Sequence, residues 1–162
     1  MRRTFLTILA FVMVFGLCAC GSNSSATVGP NDQELGRAVD LIKEAYDAMV
    51  SNSTELLDWW PYIDLHYSMD ASAPAYNDTN FVNYRNNTAE ANNNLATAKS
   101  LLGTKGTGEY YTAVKKFYTQ VQSFYDFLFV FPEGYSKLTF SNEVSSHKQN
   151  CIQAYNDAAF YK

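Results

Sequence analysis

The chain has few cysteines, few basic residues and no long hydrophobic run after its first twenty residues. Lys and Arg number 12 against 16 Asp and Glu, a formal net charge of −4. Phosphate binding needs a basic face, so this balance argues against a nucleic-acid partner. No complete catalytic motif, metal-ligand cluster or phosphate-binding loop occurs in the sequence. We therefore expect no catalytic residue, no metal and no cofactor.

The chain does have many apolar side chains that it can bury. Its 162 residues are 47% hydrophobic and 15% aromatic. This length suits one domain, and this composition excludes disorder of the chain as a whole. We expect a single folded unit over residues 32–162.

Residues 1–20 have the arrangement of a secretory signal peptide. Arg2 and Arg3 precede an uncharged apolar run from Phe5 to about Leu17, and small residues follow it. The run is shorter than the ~20 residues that a membrane-spanning helix needs. We expect this segment to be removed and the mature chain to have no transmembrane helix.

The end of the signal, Leu17-Cys18-Ala19-Cys20, resembles the bacterial lipobox, and Gly21 follows it. The resemblance implies that residues 1–19 are cleaved and that Cys20 is diacylated, so that the protein is extracytoplasmic and lipid-anchored to the cell membrane. In a host with two membranes, Gly21 is compatible with the outer membrane. Cys18 departs from the usual small residue, and a plain secretory signal is the alternative. The resemblance covers only about the first 22 residues.

The lipid assignment leaves Cys151 as the single thiol of the mature chain, which excludes an intramolecular disulfide. Cys151 lies on a helical apolar stripe, so we expect it in the core, with an intermolecular disulfide or a reactive thiol as alternatives. Residues 20–31 comprise the lipidated cysteine and a small, polar, Gly- and Pro-containing segment that is typical of a flexible tether.

Four later segments repeat their apolar residues with helical spacing. We predict helices over residues 32–60, 80–102, 108–131 and from 135 or 136 to 161. Short connections at 103–107 and 131–134 favour antiparallel neighbours. The sequence therefore predicts an all-α, antiparallel up-down-up-down four-helix bundle. A three-helix arrangement with one broken helix is the alternative.

The connection over residues 61–79 is long and rich in aromatic residues, which is unusual for a solvated linker. Aromatic faces beside Asn and Asp can stack on sugar rings or anchor protein partners. We identify a candidate binding surface here, with an end cap of the bundle as the alternative. We expect Trp60 to be packed and Trp59 to be more exposed. The surface comprises Trp59, Tyr62, His66, Tyr67 and Tyr76.

Each of the two histidines lies near acidic residues in the sequence. His147 follows Glu143 by four residues, a spacing at which both side chains could ligate one metal, but no Glu-x-x-His motif accompanies them. We expect a structural His147 with one hydrogen-bonded nitrogen. His66 lies between Asp64 and Asp70 without a nucleophile at a recognisable spacing, and we interpret these as polar residues of the loop.

These features predict a non-enzymatic, membrane-anchored envelope lipoprotein whose partner is an envelope protein or a glycan. The first alternative is a structural or accessory subunit of an envelope complex, which cross-linking to one persistent protein would favour. The second alternative, a small hydrolase, lacks a nucleophile, base and orienting group that can be named together.

Overall fold

The computed structural model describes residues 29–61, 77–129 and 135–162. These residues form four α-helices: α1 (Asp32–Asp58), α2 (Val82–Leu102), α3 (Glu109–Phe129) and α4 (Lys137–Ala159), with a short 3₁₀ turn (Thr79–Phe81) before α2. No strand occurs among the described residues. The predicted all-α four-helix bundle is confirmed, and the three-helix alternative is wrong.

Helix α1 begins with a capping box at Asn31. The Asn31 side chain accepts a hydrogen bond from the Glu34 backbone N–H, and the Glu34 carboxylate accepts one from the Asn31 N–H, both at 2.9 Å. These bonds satisfy two backbone donors at the start of the helix. The helix ends at Asp58, two residues before the predicted end, since Pro61 disfavours helical geometry at Trp60.

Helix α2 has a narrow apolar face. The buried positions of this face and of the turn before it combine large and small side chains: Phe81, Tyr84, Thr88, Ala91, Leu95, Ala98 and Leu102. The helix ends at Gly103, whose φ of 57° lies in the left-handed region that favours glycine.

In α3 and α4 most positions of the seven-residue apolar repeat are buried; Tyr110, His147 and Tyr161 are not, and Phe131 lies outside the described residues. In α3 the core face includes Phe117, Phe124 and Leu128, and in α4 it includes Phe140 and Cys151. His147 is half-buried, and Tyr161, which lies just beyond α4, is 41% exposed. Both lie on the predicted α4 stripe, whose strict seven-residue spacing drifts around a helix with 3.6 residues per turn.

Side-chain contacts establish the direction of each helix. Asn52 bonds to Thr88 and Asn94 bonds to Glu44, so α1 and α2 run antiparallel. Lys116 pairs with Asp157 at the start of α3 and the end of α4, so these helices are antiparallel as well. Helix α1 also contacts α3 and α4, whereas α2 and α4 do not contact each other. The bundle is thus up-down-up-down. Of its two diagonal pairs, α1 and α3 are in contact, whereas α2 and α4 are not.

A buried polar cluster lies between α1 and α2. The fully buried Asn52 amide donates to the Tyr84 carbonyl oxygen at 3.2 Å and to Thr88 Oγ1 at 3.0 Å, and its oxygen accepts from Asn87 Nδ2 at 3.0 Å. Thr88 Oγ1 donates to the same Tyr84 carbonyl at 2.7 Å. Because every polar atom of the Asn52 side chain is paired, the cluster selects one register of α2 against α1.

The two ends of the bundle differ in composition. At the first, which we call the tether end, Gly29 packs on the α2–α3 connection, where an added Cβ would lie 2.9 Å from the Lys105 carbonyl oxygen. At the second, which we call the aromatic end, α1 and α3 end and α2 and α4 begin. No helix in the described ranges is long and apolar enough to cross a membrane.

Candidate functional site

Of the predicted binding surface, Trp59 is the residue that the structure describes. Its side chain is 39% exposed at the end of α1, with its ring 6.0 Å from that of Phe81 in an edge-to-face contact. Trp60 is half-buried and packs on Phe140 with ring centroids 5.0 Å apart. The predicted difference between the two tryptophans is confirmed. Tyr62, His66, Tyr67 and Tyr76 lie outside the described residues, as do Asp64, Asp70 and the lipobox.

Trp60 begins a column of stacked rings that follows the α3–α4 interface. Phe140 lies 5.3 Å from Phe127, Phe127 lies 4.8 Å from His147, and His147 lies 5.4 Å from Phe124, measured between ring centroids. The column runs from the half-buried Trp60 to the fully buried Phe124. The aromatic end is therefore continuous with the core and is held rigidly by it.

The His147 ring stacks against two phenylalanine rings. Its ring is nearly parallel to Phe124, with an interplanar angle of 13°, and lies at 29° to Phe127. Burial lowers the pKa of His147, and the nearby Glu143 carboxylate opposes this lowering only in part. The imidazole makes no hydrogen bond to any residue described in the structure, so the expected bond to one nitrogen is not found among them.

A cleft of about 460 Å³ opens beside this imidazole. It is lined by Ser123, Asp126, Phe127 and Phe129 from α3 and by His147 from α4. Asp126 accepts a hydrogen bond from Gln122 Nε2 at 2.9 Å, and Gln122 Oε1 accepts one from Tyr118 at 3.1 Å. This chain of bonds along α3 fixes one carboxylate oxygen of Asp126.

A second, larger groove of about 770 Å³ lies at the tether end, between the start of α3 and the end of α4. Its charged groups are already paired: Lys116 contacts Asp157 at 2.8 Å, and Tyr161 donates to Glu109 at 3.2 Å. In the smaller cleft, by contrast, neither Asp126 nor His147 has an ionic partner in the described part of the chain. More of the polar groups in the smaller cleft are therefore available to bind a ligand.

Sequence reasoning missed Ser123, Asp126 and Phe127. They fall beside the heptad stripes of α3, where the pattern predicts a solvated flank. The available signal was spacing: Ser123 and Phe127 are four residues apart and share a face, as do Glu143 and His147 on α4. Neither pair identifies the facing helix, because single-helix periodicity contains no information on which flanks meet.

Cys151 lies in the core beside Tyr46. Its side chain is 1% exposed, and burial raises the pKa of the thiol to about 12. Placement in the core is thereby favoured over a reactive or exposed thiol. In the described ranges, no three His, Cys, Asp or Glu side chains come close enough to hold one metal ion.

We expect stability to fall at alkaline pH through this thiol. The unfolded thiol ionises above about pH 8.5 while the folded thiol keeps its proton, so the folded state loses about 2 kcal/mol relative to the unfolded state by pH 10. Urea unfolding at pH 8 and pH 10 would measure the loss, and Cys151→Ala should lose less over this interval. An equal loss in both proteins would assign the alkaline sensitivity to the tyrosines.

No protein-family model matches the chain, and neither a curated protein nor a solved structure is significantly similar to it. A functional assignment therefore rests on the residues and geometry of this chain itself.

Proposed function

We propose that the protein is a lipid-anchored lipoprotein of the bacterial cell envelope that acts by binding and not by catalysis. In this proposal Cys20 carries the lipid, the small polar residues that follow form a tether, and the bundle presents its aromatic end to an envelope protein or a glycan. The observation that carries the proposal is the exposed Trp59 on a rigid aromatic end.

Two features support binding at this end. The ring of Trp59 is 39% exposed yet braced by Phe81, so little conformational freedom is lost when a partner covers it. The neighbouring Trp60 is anchored on Phe140, within the aromatic column. An exposed aromatic side chain on a firm support is the arrangement found at interface hot spots.

The anchor is tested by Cys20→Ser. Each CH₂ of an acyl chain that enters the bilayer contributes about 0.8 kcal/mol, so two chains hold a folded domain at the surface. We expect Cys20→Ser to abolish fatty-acid labelling and to move the protein to the soluble fraction or leave it as precursor. Cys18→Ser is the matched control and should remain labelled. Labelling and membrane retention after Cys20→Ser would refute the lipoprotein assignment.

The binding surface is tested by Trp59→Ala. We expect a loss of about 2 kcal/mol or more in binding, near 30-fold in affinity, with little change in melting temperature. The lipid-free Cys20→Ser protein would be sedimented with envelope fragments of the source organism, with and without prior removal of proteins by protease. Loss of binding after protease treatment would favour a protein partner, and retention would favour a glycan.

Phe160→Ala is the control for this experiment. Phe160 is 83% exposed at the tether end, so its removal takes away a similar ring far from the proposed surface. Envelope binding that survives Trp59→Ala while the melting temperature falls would make Trp59 part of an end cap and place the binding site elsewhere.

A further inference from the structure

Among the described residues, the cleft between α3 and α4 is lined by hydrogen-bond acceptors and aromatic rings and by no lysine or arginine. Asp126 keeps one carboxylate oxygen beyond its bond to Gln122, and Ser123 presents an exposed hydroxyl. Glu143 lies one helical turn from His147 and acts on it electrostatically. Lys116, which lies on α3, is paired with Asp157 nearer the tether end. The described cleft is therefore electronegative.

His147 adds a neutral acceptor to this set. The imidazole stacks against Phe124 and Phe127 and makes no hydrogen bond to a described residue. Among the described residues, Tyr110 Oη is the single buried side-chain polar atom without a hydrogen-bond partner. The His147 nitrogens also lack such a partner, so they are not buried and remain in contact with solvent. A neutral imidazole has one nitrogen that accepts and one that donates.

We propose that this cleft binds a primary ammonium group carried on a short apolar chain. An ammonium ion has three N–H donors and no acceptor, which matches the Asp126 carboxylate, the unprotonated His147 nitrogen and the Ser123 hydroxyl. Phe127 and Phe129 supply apolar wall for the chain that carries the ammonium group. The volume of about 460 Å³ lies within the range of small-molecule sites. The site does not involve the lipid or Trp59. Failure of its test would therefore leave the proposed lipid anchor and Trp59 surface unaffected, and failure of their tests would leave this site unaffected.

The test uses pentylamine as the probe, with pentan-1-ol and pentanoate as neutral and anionic analogues of the same length. The full chain in detergent, with His66→Gln so that a single imidazole remains, would be titrated by NMR while the His147 ring signals are followed. We expect saturable shifts with pentylamine at millimolar concentration and none with pentanoate. Equal shifts with pentan-1-ol, or no saturable shift with pentylamine at about 20 mM, would overturn the proposal.

Two variants assign the contacts. Asp126→Asn should weaken pentylamine binding at least tenfold, whereas Glu90→Gln, which removes an exposed carboxylate on α2, should leave binding unchanged. Asp126 is exposed, so its replacement should not unfold the bundle, and helical content by circular dichroism checks this. Equal affinity in the Asp126→Asn protein would overturn the proposal.

The pH dependence separates this chemistry from simple charge attraction. Asp126 lines the cleft, Glu143 lies one helical turn from His147 on α4, and the amine stays protonated between pH 8 and pH 5. Protonation of His147 removes its acceptor and adds a positive charge, so we expect binding to weaken as the pH falls. In His147→Phe, which keeps an aromatic ring and is followed through the ring signals of Phe127 instead, binding should be weak and independent of pH over this interval. Unchanged pH dependence in that variant would contradict the role of His147.

Discussion

Replacing Phe124 by alanine should lower the free energy of unfolding by about 3 to 5 kcal/mol. Phe124 is fully buried in the middle of α3, stacked on His147 and within 6.4 Å of Tyr46 on α1. Its removal leaves a cavity where three helices meet, and their backbones can collapse into it only in part. Urea unfolding of a lipid-free chain beginning at Ser24 would measure the effect.

Phe160→Ala is the matched control for Phe124→Ala, because it removes the same ring from an exposed position. Because its ring is 83% exposed, Phe160→Ala should change the free energy of unfolding by no more than about 0.5 kcal/mol. A loss below about 1 kcal/mol for Phe124→Ala would mean that the α3 face is rotated away from the core described above.

Asn52→Asp should destabilise the bundle by about 3 kcal/mol or more at pH 7. The substitution keeps the shape of the side chain but removes the amide donor to Tyr84 and Thr88. It also places a carboxylate against the Tyr84 carbonyl oxygen in a site without solvent exposure. The folded protein then holds this carboxyl with a raised pKa, whereas the unfolded chain ionises it above about pH 3.9.

The sign of this pH effect gives a second measurement. Above the unfolded pKa the unfolded state gains by ionisation, so the loss of stability should be smaller at pH 4 than at pH 7. Asn93→Asp on the exposed face of α2 is the control and should have little effect at either pH. A loss for Asn52→Asp that does not depend on pH would indicate that water reaches the introduced carboxylate.

The helices and their core faces were predictable because long segments repeat apolar residues with one period. Each helix end lies within about two residues of its prediction; Asn31 and Ser136 cap the starts of α1 and α4, and Pro61 disfavours helical geometry beyond the end of α1. The diagonal contact of α1 with α3 was not predictable. It follows from the small residues of α2, since Ala91 and Ala98 let α2 lie close against α1 and leave α3 free to approach α1 as well.

The candidate sites were predictable only where neighbours in sequence are also neighbours in space. The contrast between Trp59 and Trp60 followed from their adjacent positions in the predicted helix, although α1 itself ends at Asp58. The cleft of Asp126 and His147 joins residues from two helices, and its chemistry depends on which flanks of α3 and α4 face each other. His147 shows the limit clearly, because its ring stacks against Phe124 and Phe127 and the expected hydrogen bond is not found among the described residues.

The opposite placement of the tether end and the aromatic end determines how far the protein would reach. Helix α1 has 27 residues and spans about 40 Å at 1.5 Å per residue. Residues 21–28 add at most roughly 30 Å when fully extended. With Cys20 in the bilayer, as proposed, Trp59 would sample heights between about 40 and 70 Å above the lipid surface when the bundle stands upright. A partner would then lie beyond the headgroup layer. Shortening the tether would lower the upper limit of the height of Trp59 without altering the bundle.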